Sequence, residues 1–170
     1  MKDLTIATQR TDLIPFSQNE ETLFLSLNQD EFIRKYMWDD EIISQQMSKD
    51  ILAQNESLFT QDRYGIWKIE KRDSKEIIGY VGLWYFFAEK QPQLIYALLE
   101  AFTGRGYATE VSQAILDYTF EKLKFNYLIA ATDEPHIASQ KVAERLGMSF
   151  QEKRIENGKP TLFYKITKSK

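Results

Sequence analysis

The spacing of apolar residues changes its period several times along the chain, and each change marks an element. Leu4 to Phe16 reads as an edge strand and its exit, stopped by Pro15. Ser17 to Leu27 then turns helical. Phe24 and Leu27 share a face with Leu23 beside them, Ser17 is placed to cap, and Glu20 and Glu21 suit the positive end of the helix dipole. Tyr36, Met37 and Trp38 fall in a loop-like stretch running into Asp39-Asp40, and Ile43, Met47, Ile51 and Leu58 support a second helix over approximately 42–58. The period then drops to two. Tyr64 to Lys71 is a strand, Arg72-Asp73-Ser74-Lys75 a polar turn, Glu76 to Phe87 a second strand rich in β-branched and aromatic residues, and Gln93 to Leu99 a third.

Beyond Thr103-Gly104-Arg105-Gly106 the helical period returns over about 107–123, with Val111, Ala114, Ile115 and Tyr118 on one face. Tyr127 to Thr132 is a short apolar strand of the kind buried inside a sheet. Asp133-Glu134-Pro135 leads into a helix over about 136–146, with Ala138, Val142 and Leu146 on its buried face and Gly147 fit to close it. The chain ends in a hairpin, 150–156 and 161–166, around Asn157-Gly158, the favoured type I′ turn pair. The order β-α-α-β-β-β-α-β-α-β-β predicts an α/β (α+β) fold: one mixed, partly antiparallel sheet of about seven strands. No linker or repeat divides residues 1–170, so a single domain is expected.

Composition narrows the function classes. Of 170 residues, 43% are apolar and 28% charged, ordinary for a globular chain that can build its own core. Aromatics at 14% suit a packed sheet or a lined pocket equally. The net charge of −3 comes from interspersed charges, with no basic block to meet nucleic acid. The absence of cysteine removes disulfides, thiolate metal sites and a Cys nucleophile. With one histidine, His136, a His-based metal site or a Ser-His-Asp triad is disfavoured, and no metal is expected. The N-terminal residues carry no apolar signal core, and no apolar run approaches the ~20 residues of a membrane span. The expectation is a cytoplasmic protein with no membrane partner.

The informative segment is the strand–glycine loop–helix unit at 93–123. A helix begins with unpaired backbone N–H groups and positive partial charge, which together attract an anion if the backbone can come close. Gly104 and Gly106 present no Cβ, Arg105 adds a cation and Thr109 a hydroxyl, an ensemble suited to a pyrophosphate. The spacing by itself fits equally a tight turn with no ligand. It lacks the third glycine of a dinucleotide fold and the Gly-Lys-Ser/Thr of a nucleoside-triphosphate loop.

The run from Tyr96 to Glu110, containing Gly104-Arg105-Gly106-Tyr107-Ala108-Thr109-Glu110, resembles the acetyl-CoA-binding segment of the GNAT acetyltransferases, in particular the branch of the ribosomal-protein N-terminal acetyltransferases. Asp133-Glu134-Pro135-His136-Ile137-Ala138-Ser139 with Val142, Leu146 and Gly147 resembles that branch's second motif, and Tyr36-Met37-Trp38-Asp39 its first-loop signature. The resemblance implies the GNAT fold: a mostly antiparallel sheet with helices on both faces and a central pair of splayed strands, here 93–99 and 127–132. It also implies acetyl-CoA as cofactor. Leu98 and Leu99 would bind its pantetheine arm, and the amides from Thr103 through Gly104, Arg105, Gly106 and Tyr107 to Ala108, with Thr109, its pyrophosphate. His136 stands where the motif usually has Asn, and Met148-Ser149 where an aromatic usually follows Leu-Gly.

The activity so implied is transfer of an acetyl group to a primary amine, on a protein N-terminus or a small molecule. An α-amino group, with a pKa near ~8, needs little help from a base, and a lysine-type amine near ~10.4 needs more. Ser139 matches the motif serine that would protonate the leaving thiolate and contact the cofactor; its bland role is to pack on its own helix. His136 could orient the cofactor. Glu156, Glu152, Glu100 and a water relay stay open as bases. Trp38, Trp84 and Phe86 are candidates to line the acceptor slot, with core packing as the alternative. The rival reading is a non-catalytic acyl-CoA-binding module. A homodimer through the C-terminal hairpin edge stays open.

Overall fold

The computed structural model describes residues 2–168. Its sheet has eight strands, β1 (Ile6–Ala7), β2 (Thr11–Pro15), β3 (Ile66–Lys71), β4 (Ile77–Trp84), β5 (Gln93–Leu98), β6 (Tyr127–Asp133), β7 (Ser149–Glu156) and β8 (Lys159–Thr167). They run in the order β1-β2-β3-β4-β5-β6-β8-β7. Every neighbouring pair is antiparallel except β5 and β6, which are parallel and meet at a single position, Leu94 opposite Ala130. Five helices pack on it: α1 (Glu21–Gln29), α2 (Glu31–Met37), α3 (Gln45–Gln61), α4 (Tyr107–Glu121) and α5 (Ile137–Arg145).

Two cores form on the two faces. Phe16, Phe24, Leu27, Ile33, Leu52, Ile66, Tyr80 and Ile95 join α1–α3 to one face. Trp67, Ile69, Val81, Leu83 and Leu98 meet Val111 and Ile115 of α4, Val142 of α5 and Leu146 just after it on the other. Side-chain alternation explains the division, since Ile66 and Trp67 are neighbours pointing to opposite faces. Fully burying one such aromatic contributes roughly 2–3 kcal/mol. A bulge interrupts the pattern at Ile78–Gly79, where the register with β3 skips a residue. Gly79 has φ +150°, and a Cβ there would lie 2.0 Å from the Ala97 carbonyl oxygen, so only glycine lets β4 and β5 approach.

The structure changes several boundaries. The opening strand is a hairpin turned at Thr8–Arg10, which raises the strand count to eight. The first helix starts as a 3₁₀ turn, Gln18–Glu20, where the Ser17 N–H donates to the Glu20 carboxylate at 3.0 Å. The stretch around Tyr36 is helical, not a loop: Asp30 caps it by accepting from the N–H groups of Phe32 and Ile33. Helix α3 starts later than 42, at Gln45, because the Ser44 hydroxyl accepts from the Met47 N–H. The strand read as far as Phe87 stops at Trp84, after which Phe87 and Ala88 take positive φ. At the C-terminus Asn157 (φ +49°) and Gly158 (φ +76°) make the type I′ turn. Among the described residues no helix is long and apolar enough to cross a membrane, and no cluster of three or more potential metal ligands exists.

Candidate active site

The parting of β5 and β6 beyond Leu94 opens a cleft of about 840 Å³ through the sheet. Its strand walls are β5 and β6, and for that reason β6 is half-buried along most of its length instead of fully buried as its apolar sequence suggested. The glycine loop and the start of α4 form one end. Helix α2, the β4–β5 loop and the β7–β8 turn contribute to the rest, through Tyr36, Asp39, Phe86, Phe87, Glu156 and Lys159.

Backbone alternation determines which strand groups face the gap. The Leu99 N–H donates to the Ile78 carbonyl at 2.9 Å, and the Leu99 carbonyl accepts from Phe102 at 2.9 Å. Leu99 is therefore bonded on both sides, and it is not among the residues that line the cleft. One residue earlier the backbone turns the other way, so Leu98 and Tyr96 direct their N–H and C=O groups toward β6, where the pairing has ended. Thr103 is likewise turned inward, its N–H and hydroxyl both donating to the Glu100 carbonyl.

Thr103 nevertheless lines the cleft, and the glycine loop follows it. Gly104 has φ +68° and open space where a Cβ would be, and Gly106 has φ +82°, turning the chain into α4. The first-turn amides that follow are those a helix leaves without intrahelical partners. Gly104, Gly106, Ala108 and Thr109 line the cleft. Arg105 and Tyr107 do not: Arg105 lies over the Phe102 ring, and the Tyr107 ring is buried beneath Arg10. An open glycine cradle at a helix N-terminus, continued by a strand with unpaired backbone groups, fits the diphosphate and amide-bearing arm of coenzyme A.

Across the gap, the Ser139 hydroxyl lies 2.7 Å from the Tyr96 hydroxyl. Both residues line the cleft, one from α5 and one from β5. Burial pushes the Tyr96 phenol up to about 12, against the hydrogen bond with Ser139, so the pair is neutral and holds protons. His136 caps the same helix from the Asp133 side and stacks on Tyr36 of α2, centroids 3.7 Å apart and planes at 14°. Burial, with Lys35 nearby, holds its pKa below the ordinary value, leaving a neutral imidazole at neutral pH. Asp133 is half-buried in the cleft wall; burial raises its pKa, Lys159 opposes and Asp39 adds to the rise.

Of the aromatic candidates, Phe86 lines the cleft and Trp38 and Trp84 do not. Trp38 donates from Nε1 to Asn28 Oδ1 at 2.6 Å and packs in the α1–α3 core, as does Trp84. Phe87, which strand alternation would put on the opposite face from Phe86, joins it at the cleft because the strand has already ended. Among the carboxylates, Glu156 lines the cleft and Glu152 and Glu100 are exposed. Tyr96 and Asp133 gained no role from spacing alone, since their chemistry depends on neighbours more than thirty positions away or on the neighbouring strand.

Comparison with known proteins agrees with this geometry. A family model described as an acetyltransferase (GNAT) domain matches residues 10–149. A relative from Bacillus subtilis, the uncharacterized N-acetyltransferase YoaA, is 30% identical over 98% of this chain and 94% of its own length. Among solved structures, a putative GNAT-family acetyltransferase from Bordetella pertussis superposes with a TM-score of 0.83 at 19% identity, covering 95% of this chain and 98% of that one. The ribosomal L7/L12 alpha-N-protein acetyltransferase RimL, solved with coenzyme A, superposes with a TM-score of 0.81 at 16% identity, covering 96% and 97%. The chain belongs to the GNAT acetyltransferase family, whose acetyl donor is acetyl-CoA.

Proposed function

We propose that the protein is an N-acetyltransferase that moves an acetyl group from acetyl-CoA to a primary amine. The observation that carries this reading is the cleft itself: an open glycine cradle, unpaired backbone of β5 and a hydroxyl pair, in that company, on opposite walls of one gap. Bound acetyl-CoA supplies a thioester carbonyl that the neutral amine attacks, forming the C–N bond and releasing a thiolate.

The protein's part is positioning and proton management. Gly104, Gly106, Ala108 and Thr109 present amides to the diphosphate, and Leu98 and Tyr96 offer backbone partners to the arm. Ser139 gives its proton to the departing thiolate, and Tyr96, hydrogen-bonded at 2.7 Å, orients that hydroxyl and replaces the proton. The proton lost by the amine goes to a carboxylate of the cleft wall, Asp133 or Glu156. Phe86, with Phe87 and Tyr36, shapes the acceptor side. Neutral His136 orients the start of α5 and so Ser139, whose N–H donates to the His136 carbonyl at 3.1 Å.

Calorimetric titration with acetyl-CoA, followed by turnover on a panel of α-amino peptides and small-molecule amines, tests the reading. Ser139→Ala is expected to lower kcat by about 10²-fold, in the range for loss of a general acid, with the donor affinity retained. Binding of acetyl-CoA without turnover of any amine would replace the enzyme by a non-catalytic acyl-CoA-binding module.

A further inference from the structure

The carboxylate of Glu110 lies in the first turn of α4, the turn whose amides are assigned above to the diphosphate. An unbalanced negative charge there would repel that ligand. The structure balances it from the turn between β1 and β2. Glu110 Oε1 accepts from the Thr8 hydroxyl at 2.7 Å and from the Arg10 N–H at 2.8 Å, and Oε2 accepts from Arg10 Nε at 2.7 Å. Burial by itself would raise the Glu110 pKa, but the hydrogen bonds from Thr8 and Arg10 outweigh it and hold the carboxyl below its ordinary value.

The same guanidinium reaches the loop. Arg10 Nη1 donates to the Arg105 carbonyl at 3.0 Å, and Arg10 Cζ lies 4.0 Å from the centre of the Tyr107 ring. A Cβ on Gly106 would come within 3.5 Å of Arg10 Nη2, so the guanidinium rests against the residue that turns the loop into the helix. One side chain thus grips the glycine loop on both sides of Gly106 and at Glu110.

The geometry points to Arg10 and Glu110 as a positioning pair for the diphosphate of coenzyme A. Arg10 fixes the shape of the loop and cancels the charge of a carboxylate that would otherwise oppose the ligand. Neither residue touches the reacting atoms. The inference rests on the donor assignment above.

Calorimetry with coenzyme A, comparing Arg10→Met, Glu110→Gln and the double variant, tests the pair without any acceptor. Methionine keeps an aliphatic stem over Tyr107 and leaves the carboxylate bare, so Arg10→Met is expected to bind about tenfold more weakly. Glu110→Gln loses the charge and retains an acceptor oxygen, and is expected to lose only about threefold. The double variant is expected to bind more tightly than Arg10→Met, because it no longer carries the repelling charge. Recovery through lost repulsion is expected to shrink at high salt, which screens charge, whereas relief of merely structural strain would persist. Arg10→Gln provides the same charge comparison in case Arg10→Met does not fold. Wild-type affinity in the Arg10 variant, or a double variant no tighter than the single, overturns the pairing. A wild-type protein that binds no coenzyme A overturns the donor assignment instead.

Discussion

Single buried amides hold the scaffold of the cleft. Asn55 of α3 is fully buried; its Nδ2 donates to the Phe16 carbonyl at 3.0 Å and its Oδ1 accepts the Ile66 N–H at 2.6 Å. It fits because Gly65 has no side chain: a Cβ there would come 2.4 Å from Oδ1. Asn55→Ala leaves a backbone donor and an acceptor buried without that partner, and urea unfolding is expected to show a loss of about 3 kcal/mol. Asn28 does similar work nearby, accepting from both Trp38 Nε1 and the Tyr80 hydroxyl. Neither asparagine stands out in the sequence, where a polar residue in a helix reads as surface. Trp38 is ambiguous in the sequence for the converse reason: its indole suits a slot or a core until its partner is known.

Among the elements, α2 with the turn after it and the β7–β8 hairpin both border the cleft, on the side proposed above for the acceptor, and they meet through an ion pair. The turn after α2 puts Asp39 and Asp40 at φ +52° and +66°, a conformation that side chains other than glycine adopt at a cost. Asp40 is held by Arg34 at 2.8 Å and Asp39 by Lys159 at 2.6 Å. The pair is exposed enough that it adds little stability, but it bridges two walls of the cleft. In steady-state kinetics Lys159→Met is expected to raise KM for the amine about threefold while leaving donor affinity unchanged, in keeping with the modest value of an exposed pair. An unchanged amine KM would assign the pair to the surface alone. The hairpin was readable from Asn157-Gly158, because that dipeptide needs no tertiary partner to prefer its turn. Helix α2 was not, because seven residues held by the Asp30 cap leave too short a periodic pattern to separate from a loop.

For the molecule as a whole, the ionisable groups predict a stability plateau. Glu110 and Glu20 have depressed values in the folded state: for each, burial acts to raise the pKa and hydrogen bonds, from Thr8 and Arg10 or from Lys68 and Ser17, outweigh it. Their contribution is complete above the unfolded value near 4.5 and is lost as pH falls through the folded one. His136, depressed below 6.5 by burial and then by Lys35, adds a second loss that starts below that value. On the alkaline side burial raises the phenols of Tyr80 and Tyr96, so their contribution is complete below the ordinary value of 10.0 and lost as pH rises through the folded ones. The urea midpoint is expected to be flat between about pH 7 and 9 and to fall on both sides. Glu110→Gln should flatten only the limb below 4.5, and His136→Asn only the limb beginning at 6.5. An acid limb unchanged in both variants would refute the assignment.

The amino-acid sequence alone determined the order of most elements, the turn chemistry at Gly147 and Asn157-Gly158, and the placement of a glycine loop between a strand and a helix. Each of these follows from local preferences: side-chain period, φ above zero, and the unpaired amides at a helix start. The tertiary structure decided what those elements enclose. Where β5 leaves β6 after Leu94, which of Leu98 and Leu99 faces the gap, and the meeting of Tyr96 with Ser139 all depend on register between distant strands. So does the meeting of Arg10 with Glu110, residues a hundred positions apart that no local pattern connects. Periodicity specifies which face of an element is buried, and only packing specifies which residue lies opposite, so the fold was legible in the sequence and the Tyr96–Ser139 hydroxyl pair was not.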